Sequence, residues 1–214
     1  DPIGSRGLGD VYKRQIQGET YEYPEEFFIE RVHNIRRPKP DDFQVKQAVE
    51  KIKNSKNPII ISGGGVFYSN AMEELSSFAI KHNIPVTQTV MGYSSMKRDH
   101  SHFLGPIGGL GGKAANNLAK QTDLAIAIGT KLADFTTGSW ANFENPEFKL
   151  ISINVSRFDA NKHMASSVIG DAKVSLNELS QALGNWKAPD AWHKKSVNEL
   201  KSWNEYVDKE SGPT

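Results

Sequence analysis

Short apolar runs alternate with amphipathic stretches through the middle of this chain, and that alternation limits its possible folds more than any other feature. The runs "NPIIIS" (57–62), "IPVTQTV" (84–90), "DLAIAIGT" (123–130), "KLISINV" (149–155) and "SSVIGD" (166–171) have the length and continuous apolar character of strands buried on both faces. Between and around them lie segments with helical period. In "FQVKQAVEKIKNS", Val45, Val49 and Ile52 share one face, and Asp41 or Asp42 is placed to cap it. "SNAMEELSSFAIKHN" turns Met72, Leu75, Phe78 and Ala79 inward, with Ser69 or Asn70 as its cap. "GGKAANNLAKQT" and "AKVSLNELSQALG" complete the set, the second closed by Gly184. Strands alternating with helices predict an α/β, Rossmann-like parallel sheet with helices on both faces, spanning residues 41–184.

Both ends of the chain differ from this core. Residues 1–15, "DPIGSRGLGDVYKRQ", carry glycines and basic side chains without either hydrophobic period, and read as appended sequence or a flexible linker. Residues 16–40 form an aromatic, acidic arm, "ETYEYPEEFFIERVHNI", then a link in which Pro38 and Pro40 enforce extended backbone. In residues 185–214, Val197, Leu200, Trp203 and Val207 mark an amphipathic helical linker.

Composition excludes more than it assigns. With 26 basic and 25 acidic side chains the net charge is +1, which gives no electrostatic case for nucleic acid or an anionic membrane. The absence of cysteine rules out disulfides, thiolate metal sites and a cysteine nucleophile, and suits a reducing cytoplasm. No apolar stretch approaches the ~20 residues that cross a bilayer.

The run Gly63-Gly64-Gly65 after the first strand raises the question of a dinucleotide site. Gly63 and Gly65 suit the first two positions of G-x-G-x-x-G, but Tyr68 stands at the third. The acidic residue expected at the end of the second strand is replaced by Thr87, Gln88 and Thr89. A conventional NAD site is not expected on those grounds. A tight strand-to-helix turn is the plainer reading, although its backbone amides could hold an anion. "LGPIGGLGGKAA" fails as a Walker loop, because Ala114 follows Gly112-Lys113 where a hydroxyl is needed and Ile107 stands where the first glycine belongs. In "DHSH", Asp99, His100 and His102 lack a third ligand and read as solvated loop residues, not a metal site. No catalytic residues are legible.

The stretches 58–92, 104–140 and 151–172, with "YEYPEEFFIERVHNI" before them, "DFTTGSW" within and "WNEYVDK" after, together resemble the central domain of thiamine-diphosphate enzymes. Their most specific piece, "DFTTGSW", is similar to the branch that hydrolyses a ring carbon–carbon bond of a cyclohexane-1,2-dione in myo-inositol catabolism. The resemblance implies a scaffold domain of a cytoplasmic homodimer or homotetramer, with catalysis in N- and C-terminal domains of the same chain that lie outside this segment. Those domains would bind thiamine diphosphate and Mg2+, and this segment alone would be inactive. Acetolactate synthase-like carboligases share the glycine-rich stretches and bind FAD in this domain. Lys131 stands here where such relatives commonly carry arginine, which weakens bidentate phosphate recognition, and no FAD is expected. The resemblance leaves a vestigial nucleotide crevice at Gly63, Gly64, Gly65, Gly108, Gly129, Thr130 and Lys131. A free-standing nucleotide-binding module without catalysis is the reading from a different class.

The chain also carries an imitation of the family's cofactor signature. Gly170-Asp171-Ala172, with Asn198 farther on, mimics G-D-G…N-N, but Ala172 and Glu199 break it and the stretch before Asn198 is charged. Asp171 is predicted instead to cap the helix that follows.

Overall fold

The computed structural model describes residues 15–212, so the segment 1–15 lies, but for its last residue, outside the described residues. Contacts divide the chain into a short unit ending at Arg36 and a larger one beginning at Arg37. In the short unit Glu25–Phe28 forms one 3-10 turn, with the Tyr23 ring 4.7 Å from that of Phe27. No residue of the turn is buried.

The larger unit is built on a six-stranded sheet in the order β3-β2-β1-β4-β5-β6. The strands are β1 (Pro58–Ser62), β2 (Val86–Gln88), β3 (Phe103–Pro106), β4 (Leu124–Ile128), β5 (Lys149–Asn154) and β6 (Ser166–Ile169), and every pairing is parallel. The helices are α1 (Asp42–Asn54), α2 (Gly64–Tyr68), α3 (Met72–His82), α4 (Lys113–Ala119), α5 (Asp134–Thr137), α6 (Arg157–Ala160), α7 (Ala172–Leu183) and α8 (Asp190–Ser211). After β1 the chain builds outward through β2 and β3, then returns to lay β4 on the other side of β1. The order of building reverses between β1 and β4, and in sheets of this kind a crevice opens at that point, beyond the carboxyl ends of the strands.

Alternation along each strand divides the core into two layers. Ile60, Val86, Ile126, Ile151 and Val168 face α1, α3 and α7, where Ile52, Leu75, Phe78 and Leu179 are buried against them. Ile59, Ile61, Ala125 and Ala127 face the opposite way, toward Leu118 of α4 and Trp192 of α8. The alanines of β4 leave room on that side for α4 and α8 to pack on each other. Each fully buried isoleucine contributes about 1.5–3 kcal/mol, so this double layer is the main source of the fold's stability. Among the described residues no helix is long and apolar enough to cross a membrane.

The five strands expected from apolar runs are all present, β2 in a shorter form. The sixth, β3, was hidden in a stretch read as a glycine-rich loop. It is a short edge strand ending in Pro106, a residue that sheets tolerate at edges because its missing N–H breaks no ladder. The helix expected from Ser69 or Asn70 is also revised. The chain first makes the short α2, then reverses through Asn70 at φ 51° before α3 starts at Met72, with Ala71 preceding it and no side-chain cap. Ser69 donates its hydroxyl to Asp171 instead, because the fold brings that buried carboxylate within 2.8 Å. Of the two candidate caps for α1, Asp41 takes the position and accepts from Phe43 N.

Candidate functional site

The loops at the carboxyl ends of β1 and β4 meet backbone to backbone. Gly63 N donates to Ile128 O at 2.8 Å and Gly65 N donates to Gly129 O at 2.9 Å. A Cβ on Gly63 would stand 2.4 Å from Gly129 O, and one on Gly65 would stand 2.5 Å from the Gly129 Cα. Gly129 itself has φ +61°, a conformation that costs a side-chain-bearing residue about 1–2 kcal/mol. Gly64 opens α2 beneath the Met91 carbonyl, which a Cβ there would approach to 3.0 Å. The glycine run is therefore first of all the means by which two loops on neighbouring strands touch.

Thr130 and Lys131 continue this contact outward. The Thr130 carbonyl accepts from Asn154 Nδ2 at 3.2 Å, and its hydroxyl accepts from Leu132 N. Lys131 is exposed, and its charge reaches Asp159. Lys162, 2.7 Å from Asp159, holds that carboxyl below its ordinary value by its hydrogen bond, with Ser156 and Lys131 helping against desolvation. Gly108 lies in the loop after β3, at φ +102°, and a Cβ there would stand 2.1 Å from the Phe135 carbonyl of α5. Asn116 of α4 fastens that loop by accepting from Gly108 N and donating to Gly108 O. The structure thus brings Gly63 against Gly129 and Thr130 and Gly65 against Gly129, sets Gly64 against Met91, and links Gly108 to α5, while Lys131 follows Thr130 along the chain at the exposed surface of the rim.

Two further properties of this rim were not legible in the sequence. Met91, Tyr93, Leu110, Phe135, Phe158 and Met164 are all exposed on its loops, Met164 completely. Leu132, Ser139, Trp140, His163 and Met164 all take positive φ there. Strained backbone of this kind persists only where surrounding structure holds it, and it concentrates at functional surfaces. The "DFTTGSW" segment forms α5, Gly138 at φ +57° and the two strained residues after it, with Ser139 Oγ donating to Asp134 Oδ2. The failed Walker loop is a closed turn in which Gly111 N bonds Gly108 O and Gly112 N bonds Pro106 O.

Asp171 has the structural role predicted for it. Its Oδ1 accepts from Lys173 N and Val174 N, capping α7, and its Oδ2 accepts from Arg37 and from the Ser69 hydroxyl. With its lone pairs so engaged, this carboxylate does not fit a metal or diphosphate ligand. Nor, among the described residues, does any group of three or more His, Asp and Glu stand ready to hold a metal ion. Of the histidines of "DHSH", His100 is half-buried and His102 is not solvated as expected. His102 is buried and its ring stacks on that of His193, 4.1 Å away on α8, a partner too distant in sequence to be foreseen.

A model of the family described as thiamine pyrophosphate enzyme, central domain, matches residues 45–179. A curated protein of Clostridium perfringens strain 13, named 3D-(3,5/4)-trihydroxycyclohexane-1,2-dione hydrolase, is 43% identical over 205 residues, 96% of this chain and 32% of its own length. Proteins of the same name from Clostridium tetani and Geobacillus thermodenitrificans are 41% and 40% identical over 100% and 98% of this chain. The chain spans about a third of the length of these relatives.

Proposed function

Because the chain belongs to the thiamine pyrophosphate enzyme central-domain family, we propose that it is the scaffold domain of a thiamine-diphosphate-dependent hydrolase. That enzyme opens a cyclohexane-1,2-dione ring by carbon–carbon cleavage in myo-inositol catabolism. The observation that carries this reading is the 43% identity, across nearly the whole chain, to a relative named for that hydrolysis. Thiamine diphosphate and Mg2+ are assigned to N- and C-terminal domains of the longer polypeptide, since Asp171 is fully engaged as a helix cap. The cofactor supplies the electron sink for bond cleavage, and the protein supplies position and electrostatics.

In this reading residues 41–184 form the domain proper, 16–40 are an arm from the preceding domain, and 185–214 lead toward the following one. The strained, apolar rim at the carboxyl edge of the sheet supports such a role, because an apolar surface of this kind is normally covered by a partner. The full enzyme is a cytoplasmic homodimer or homotetramer with neither nucleic acid nor membrane as partner. Gly63, Gly64, Gly65, Gly108, Gly129, Thr130 and Lys131 are the vestige of a nucleotide crevice. Their place where the building order reverses supports a crevice, and the engagement of the Gly63 and Gly65 amides by the β4 loop explains why it is only vestigial.

The test compares this chain with the complete reading frame that contains it. With thiamine diphosphate and Mg2+ supplied to both, the complete enzyme is expected to hydrolyse the cyclic dione and this chain is not. Turnover by this chain alone would overturn the assignment of chemistry to other domains. Stoichiometric FAD in the purified complete enzyme would favour the acetolactate synthase-like carboligase instead.

A further inference from the structure

Four of the six histidines in this chain gather where α8 joins the sheet. His82 is buried at the end of α3, donates from Nδ1 to Trp186 O at 2.8 Å and accepts at Nε2 from Ser180. Its carbonyl accepts from Ala188 N. His100 and His102 lie on the loop before β3, and His193 lies in the first turn of α8, with its Nε2 donating to Ser101 O. The bonding pattern requires His100 to be neutral, and burial against the His193 ring opposes charge on His102. His100 Nδ1 accepts from the backbone N–H of His102 at 3.1 Å, so a proton on that nitrogen would oppose another donor. His102 Nε2 donates to Asn83 Oδ1, and its Nδ1 shares a hydrogen bond with the Ser101 hydroxyl, which can serve either role. Asn83 is fixed in that orientation because its Nδ2 donates to Ala188 O, just before α8, and to Asp190 Oδ1, at its start.

We propose that the stack of His102 on His193, with His82 and His100 beside it, forms an acid-sensitive latch that holds α8 and the segment before it on the domain while His82, His100 and His102 are neutral, and loosens that hold when they are protonated. The charged groups around the cluster do little to shelter a proton. Asp99, beside His100 on the same loop, favours the charged form of that ring, and desolvation outweighs it. Lys81 on α3 and Lys187 before α8 oppose charge on His82, whose burial is the larger effect. Asp190 is held by Asn83, and none of the four rings is ion-paired with a carboxylate among the described residues. Burial, then the charges of His193 and His100, lower His102 from the ordinary value of 6.5 to about 4. The undocked ring therefore binds a proton at higher pH than the docked one, and docking is lost as pH falls from 6.5 toward 4. His102 alone then increases the opening of α8 about 30-fold between pH 7.5 and pH 5. This inference is independent of the substrate proposed above.

Amide hydrogen exchange, corrected for intrinsic chemistry, reads that opening in residues 190–203. Protection there is expected to fall about 30-fold by pH 5, while β4 retains its protection. His102→Gln is expected to lose most of this response, and His33→Gln, in the separate short unit, to keep it. No fall in the unaltered chain, or the same fall in His102→Gln, would overturn the latch. Should His102→Gln not fold, the NMR titration of the His102 ring decides. A midpoint near 6.5 overturns the proposal, and one well below 6.5 supports it.

Discussion

Replacing Asp171 by alanine tests the site's structural assignment and the functional reading together. Asp171 is 4% exposed and its carboxylate accepts from Lys173 N, Val174 N, Ser69 Oγ and Arg37. Loss of the helix cap costs about 1 kcal/mol. The Ser69 hydroxyl, left buried without its acceptor, adds about 1–2 kcal/mol. Arg37 is 37% exposed and stays solvated when its partner goes, so its share is well under 1 kcal/mol. The sum is about 3 kcal/mol, equivalent to a fall in Tm of about 10 °C for a domain of this size. Asp171→Asn keeps one acceptor for the cap amides and is expected to lose roughly half as much. Urea denaturation monitored by tryptophan fluorescence measures both variants. A loss below about 1 kcal/mol for Asp171→Ala would refute this account of the network. If stability held while the complete enzyme lost affinity for thiamine diphosphate and Mg2+, Asp171 would have to be a cofactor ligand after all.

Other substitutions check other links. Gly63→Ala is expected to cost about 3 kcal/mol, because its Cβ would meet Gly129 O, whereas Gly109→Ala, whose Cβ would come no nearer than 3.7 Å to the Phe135 ring and carbonyl, costs about 0.5 kcal/mol or less. Equal melting temperatures for the two would contradict the loop contact. Trp192→Phe removes the buried 2.8 Å bond from Nε1 to Pro58 O and is expected to lower stability by about 1–2 kcal/mol in urea. For His82, whose folded value lies below 6.5, stability is complete above pH 6.5 and lost as pH falls below it. The urea midpoint is expected to drop between pH 7 and pH 5, and His82→Gln to flatten that drop.

Much of the fold was legible because its signals are local. Continuous apolar runs identified five of the strands, helical period identified α1, α4, α7 and α8, and Asp171 was recognisable as a cap from the helical stretch that follows it and from the failure of the cofactor signature at Ala172 and Glu199. The short β3 carried too few residues and too much glycine and proline for a period to show. The break between α2 and α3 was invisible because Met72 through Ala79 continue the helical pattern that Ser69 and Asn70 only look ready to cap.

By itself the sequence determined that a parallel α/β sheet forms, that the glycine run is a tight turn without a complete dinucleotide fingerprint, and that Asp171 begins a helix. Each depends on residues within a turn or two of one another, where spacing stands in for geometry. Only the tertiary structure decided that Gly63 and Gly65 rest on Gly129, that Arg37 and Ser69 converge on Asp171, and that His193 stacks on His102. Those meetings join residues far apart along the chain, and they exist because burying both faces of the sheet fixes where each loop and helix must lie.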